Sequence, residues 1–82
     1  MGLDFVELVM AFEEAFNISI PDKDASELTT PRKVADYVMN KIGDRGVSRS
    51  HVEAKIRQII EDQTGISDFS DDDHFVDDMQ LD

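Results

Sequence analysis

Eighty-two residues leave room for one small domain, because a typical domain takes about 100–200, and 40% hydrophobic residues can build a core, which argues against wholesale disorder. Nineteen acidic residues against eight basic ones give a formal charge of −11; phosphate backbones and anionic headgroups repel such a chain, so its partners are expected to be basic patches on proteins, with no nucleic acid and no membrane. Zero Cys excludes disulfides, thiolate zinc clusters and a thiol nucleophile and suits a reducing, cytoplasmic location.

In chain order, residues 3–16 (LDFVELVMAFEEAF) repeat at helical spacing. Phe5, Leu8, Val9, Phe12 and Phe16 fall at i, i+3, i+4, i+7 and i+11, a stripe wide enough to face a core, and Asn17 can end the helix in a left-handed cap. Leu3, Val6 and Met10 form a second apolar stripe on a rotated face, bordered by Asp4, Glu7, Glu13 and Glu14. Two readings stay open for it: a helix wrapped widely by its own bundle, or an exposed recognition helix of apolar knobs ringed by carboxylates. Pro21 breaks the following stretch, and Asp24 to Leu28 reads as one short helical turn, with Ile18, Ile20 and Leu28 tucking it onto the bundle.

A second long helix begins at Thr30-Pro31, an N-cap followed by proline at the first helical position. Val34, Ala35, Val38 and Ile42 form its apolar face, Tyr37 and Met39 flank it, and Gly43 stops it. Gly43 to Ser50 reads as a linker. The third long helix opens on Ser50-His51-Val52-Glu53, which matches a capping box. It carries Val52, Ile56, Ile59 and Ile60, and closes at Thr64-Gly65. The tail from Ile66 to Asp82 holds seven aspartates. It also holds Ile66, Phe69, Phe75, Val76, Met79 and Leu81, so it is expected to be an anchored loop. The fold class predicted is all-α: a small four-helix bundle of three main helices and one short one. No apolar run nears the ~20 residues of a membrane span, and the first residues do not read as a signal peptide.

Charge is divided along the chain. Arg32 to Arg57 holds seven of the eight basic residues and three acidic ones, while everything else holds sixteen acids against Lys23 alone. Chemistry-bearing motifs are scarce. His51 reads as an exposed first-turn residue and His74 as a loop residue, neither at metal-ligand spacing. Counted from Asp71, a calcium loop would need an oxygen ligand at position five and glycine at six; Phe75 and Val76 stand there, so the motif fails. No catalytic residue and no specific metal site are expected, and an enzyme is not the reading the residues favour.

The run L-D-x-V-E-L-V-M-A-x-E-E-x-F, followed by I-x-I-P-D and T-T, resembles the acyl carrier proteins of fatty-acid and polyketide synthesis. HVEAKIRQIIEDQTGI and FSDDDHFVDDMQLD resemble that family's first helix and the long loop after it. The order is exchanged. Residues 1–42 resemble the family's second half, 51–82 its first half, and 43–50 would join the former termini, within one acyl-carrier-like domain spanning 1–82. Joining end to beginning puts Asp82 and Leu3 at the Asp and Leu of the family's Asp-Ser-Leu motif, ahead of Asp4. Gly2 occupies the position of the serine that carries 4′-phosphopantetheine.

The resemblance implies a thioester carrier that shuttles acyl groups on its pantetheine arm and docks enzymes through an acidic helix. Its partner contacts would be Leu3, Asp4, Val6, Glu7, Met10, Glu13 and Glu14. Those partners would be fatty-acid or polyketide synthesis enzymes and a phosphopantetheinyl transferase. Without the serine, the expectation is an engineered circular permutant that stays apo and carries nothing. It would be a monomer, with a domain-swapped dimer as the other outcome of a loosened junction. The competing reading is an acidic helical adaptor with no carrier role.

Overall fold

The computed structural model describes residues 3–43 and 46–81, with side chains from Phe5 onward in the first of these segments. Among the described residues there are four helices and no strand: α1 (Leu3–Phe16), α2 (Asp22–Ala25), α3 (Pro31–Ile42) and α4 (Arg49–Thr64). The all-α bundle expected from the sequence is therefore the fold. Its Cα radius of gyration, 11.7 Å, is that of a compact domain of this length.

The core is built from the predicted stripes. Phe5, Leu8, Val9 and Phe12 of α1, Val34, Ala35, Val38 and Ile42 of α3, and Val52, Ile56, Ile59 and Ile60 of α4 are all buried. Each of these side chains other than Ala35 contributes about 1.5–3 kcal/mol on leaving water, before the entropy of ordering it is subtracted. Phe16 is only half-buried at the end of its stripe.

Helix ends follow local chemistry. Asn17 adopts a left-handed conformation at φ 54°, and the Ile18 N–H reaches back to the Glu13 carbonyl at 3.1 Å, a Schellman closure. The Thr30 hydroxyl accepts from the Lys33 N–H at 3.2 Å, with Pro31 buried beside it. Gly65 ends α4 at φ 77°, a conformation costly for a residue with a Cβ.

Two predicted boundaries move. Helix α4 starts earlier than the Ser50 capping box: Ser48 is the N-cap, accepting from the His51 N–H at 3.2 Å. Arg49 decides between the two serines. Inside the helix it stands four residues before Glu53, bonding its carboxylate at 2.9 Å, and reaches Asp36 of α3 at 2.7 Å. Arg49 and Ser50 thus belong to the helix and not to the linker. The short turn also shifts: α2 begins at Asp22, directly after Pro21, and has ended by Leu28. Proline has no N–H to lose ahead of a first turn, and Asp22 and Asp24 favour the positive end of that turn. Tyr37 ties α2 to α3 by donating its hydroxyl to Asp24 Oδ2 at 2.7 Å. Burial, and then that bond, push the phenol up to about 12.

The tail is anchored as expected, and by named contacts. Phe69, Phe75, Met79 and Leu81 are buried, while Val76 stays exposed and Ile66 half-buried. The tail hangs from the start of α3: the Arg32 N–H donates to the Asp71 carbonyl at 2.9 Å and the Phe75 N–H to the Thr29 carbonyl at 2.9 Å. The first of these satisfies a backbone donor that a helix start leaves unpaired. Arg57 of α4 holds the same stretch, donating to the Phe69 carbonyl at 2.7 Å and to Asp71 Oδ1 at 3.1 Å.

Candidate functional site

On α1 the structure separates the two apolar stripes. The phenylalanine stripe is inside, whereas Val6 is 37% and Met10 59% exposed. Glu7 and Glu14 are exposed beside them. At Val6 and Met10, therefore, the second face is not covered by the bundle. Between it and α2 lies a shallow hollow of about 70 Å³ lined by Val6, Val9, Met10, Glu13, Ile20 and Ala25. Glu13 differs from the other carboxylates because its Oε2 accepts from the Ile20 N–H at 2.7 Å. It fixes the chain after α1 and is only half-free for another protein. Gly2 and Asp82 lie outside the described residues, as do the side chains of Leu3 and Asp4.

Next to this face, the start of α1 packs against the tail. The rings of Phe5 and Phe75 lie 5.6 Å apart and tilted by 50°, a favourable aromatic geometry. Leu81 is joined to the same point by its N–H, which donates to the Phe75 carbonyl at 2.8 Å. The two acidic blocks of the chain are thus brought together around Phe75.

Under this junction sits an apolar cavity of about 260 Å³ lined by Phe5, Leu28, Thr29, Phe75 and Val76, with Ser26 and His74 at its edge. A wider trough of about 580 Å³ runs beside α3, but Glu27, Lys33, Asp36 and Asn40 line it and it is open to water. The smaller hollow has the more apolar lining of the two. Sequence reasoning missed it, because its walls come from residues up to 71 positions apart (Phe5 to Val76).

Electrostatics around the site are those of a solvated acidic surface. Arg32 bonds Asp72 through Nε at 2.7 Å and holds that carboxyl below its ordinary value. Among the described residues no group of three or more His, Cys, Asp or Glu could hold a metal ion. Exposed carboxylates repel each other across the whole surface, and that repulsion works against folding. Added Mg²⁺ or moderate NaCl is therefore expected to raise the melting temperature. In a domain of this size about 4–8 °C corresponds to each ~1 kcal/mol of relieved repulsion. A melting curve unchanged through the titration would contradict this.

A phosphopantetheine arm needs a hydroxyl oxygen for its phosphodiester, and the residue before Leu3 is glycine. Other serines are placed elsewhere: Ser26 donates to the Lys23 carbonyl, Ser48 caps α4 and Ser70 bonds Asp73. No solved structure matches the chain. Residues 3–38 match the family described as the phosphopantetheine attachment site, which spans α1, α2 and most of α3. That match, together with the all-helical bundle around it, supports a domain of acyl carrier protein type.

Proposed function

We propose that the chain is an acyl-carrier scaffold in exchanged order, which docks enzymes of fatty-acid or polyketide synthesis through α1 but does not itself carry an acyl group. The observation that carries this is the exposed Val6 and Met10 pair flanked by the exposed carboxylates of Glu7 and Glu14. Apolar knobs supply the contact that excludes water, and the carboxylates steer and orient a basic partner. Leu3, Asp4 and Glu13 complete the surface in this reading. Glu13 contributes whatever its bond to Ile20 leaves free.

The exchanged order is supported by packing. Residues 69–81 close over α1 and the start of α3 through Phe75, Thr29 and Arg32, so 1–42 and 51–82 behave as two halves of one bundle, joined through 43–50. Engineering is the origin we favour. The reading places the chain in the cytoplasm, beside such enzymes, as a monomer. Its apolar cavity is the place where a loaded relative would shelter its acyl chain.

The test is one titration with two readouts. The ¹⁵N-labelled chain is mixed with a broad-specificity phosphopantetheinyl transferase and coenzyme A, then followed by amide shifts and by intact mass. Shifts are expected at Val6, Glu7, Met10 and Glu14, fading with added salt, with no change in mass. A mass gain of one phosphopantetheine would overturn the non-carrying part. A spectrum unmoved by the transferase would favour the acidic adaptor.

A further inference from the structure

The inference concerns regulation of the apolar cavity, and it rests on the reading of that cavity as an alkyl shelter. One wall is a single helical turn headed by His74. The imidazole Nδ1 accepts from the backbone N–H groups of Val76 and Asp77, each at 3.2 Å. In return the His74 N–H donates to Asp78 Oδ2 at 2.7 Å. The His74 carbonyl receives the N–H groups of Asp78 and Met79 at 2.9 and 3.0 Å. This is a capped turn with a histidine as the side-chain acceptor, where Ser, Thr, Asp or Asn usually stands.

The substitution changes what the cap responds to. Hydroxyl and amide oxygens accept hydrogen bonds throughout the physiological pH range. An imidazole nitrogen accepts only while it is neutral, and a proton on it turns the acceptor into a donor. The side chain is 33% exposed, so a proton can reach it. We propose that His74 is a pH-sensitive latch: neutral, it closes the turn that walls the cavity; protonated, it releases the Val76 and Asp77 amides and the wall opens.

Among the described residues, the charged groups facing the ring come from its own turn. Asp77 Oδ2 lies 3.8 Å from Nδ1 and Asp78 is bound at the His74 amide. From α1 and the stretch before α3, the residues sharing the cavity with it are Phe5, Ser26, Leu28 and Thr29, none of which changes charge in this range. A newly charged imidazolium turns from the amides toward Asp77. The turn it leaves carries Phe75, with no exposed surface, and Val76, both of which line the cavity, so loosening it exposes the cavity from the side.

The experiment compares the full chain at about pH 8 and at about pH 5.5. It measures amide protection factors and the dissociation of a neutral fluorescent probe, N-phenyl-1-naphthylamine. Protection at Val76 and Asp77 is expected to fall about fivefold on acidification, and probe dissociation to speed up about fivefold, the size of a lost cap. His74→Ser and His74→Asn, caps without a titrating proton, keep both within about twofold. Unchanged protection in the parent overturns the latch, and so does an equal fall in both variants, which would assign the effect to carboxylates. A probe bound at neither pH overturns the gate together with the cavity reading. Failure of a transferase to recognise the chain touches neither readout.

Discussion

Phe75→Ala is expected to cost the domain about 3–5 kcal/mol, the cost of emptying a fully buried aromatic site. Phe75 has no exposed surface, its ring pairs with Phe5, and its backbone bonds Thr29 and Leu81. The small side chain would leave a void beside a cavity that already exists, so the walls have little to collapse onto. A domain of 82 residues has roughly 4–12 kcal/mol in total, at about 0.05–0.15 per residue. The variant should therefore lose at least about 12 °C in melting temperature, since each ~1 kcal/mol moves it by about 4–8 °C. Val76→Ala is the control: the neighbouring side chain is half-exposed, and its loss should stay within about 0.5 kcal/mol. If Phe75→Ala melted within a few degrees of the parent, the tail would be an ornament and the two halves of the chain would not share a core.

That shared core explains how much could be seen from the sequence. Helix α1 was legible because Phe5, Leu8, Val9 and Phe12 recur at helical spacing and make the wider apolar stripe. Helix α3 was legible from both ends, through Thr30-Pro31 and Gly43. The start of α4 was not, because two serines two residues apart each offer a plausible cap. The choice falls to Arg49 and its contact with Asp36, on another helix. Exposure of Val6 and Met10 could be stated only as one of two alternatives, since periodicity says which residues share a face but not what covers it. The cavity and the role of His74 were invisible for a further reason. A histidine in an aspartate-rich loop carries no local sign that its nitrogen meets two amides, although Asp78, four residues on and bound to its N–H, is the signal that could have been read.

The acidic composition acquires a more specific meaning from the same geometry. Charge is concentrated on α1 and the tail, the elements that meet at Phe5 and Phe75, while the basic middle of the chain spends several of its cations internally. Arg32 binds Asp72, Arg49 binds Asp36 and Glu53, and Arg57 binds Asp71. The cations that would neutralise a docking face are thus directed at the tail and at the α3–α4 seam. Among the described residues, none of these ion pairs involves a carboxylate of α1.

Arg57→Ala is the second large effect, expected at about 2 kcal/mol. Three contacts meet on one guanidinium: a bond to the Phe69 carbonyl at 2.7 Å, a bond to Asp71 at 3.1 Å, and a cation–π approach of 4.2 Å to the Phe69 ring. They are not equal. Ion pairs at this level of exposure, 41% and 32%, contribute about 0–1 kcal/mol. A charged donor on a half-buried carbonyl contributes more, about 1.5–3 kcal/mol before exposure reduces it. The stack adds about 0.5–1 kcal/mol. The order predicts a pattern across variants. Asp71→Asn should cost under about 1 kcal/mol and lose its effect in high salt. Arg57→Lys keeps the charge but not the planar fork, so it should recover less than half of the loss. Denaturant midpoints measured at low and high salt separate these contributions. Full recovery by lysine would mean that charge alone, and not the bond to Phe69 with the ring beneath it, holds the tail to α4.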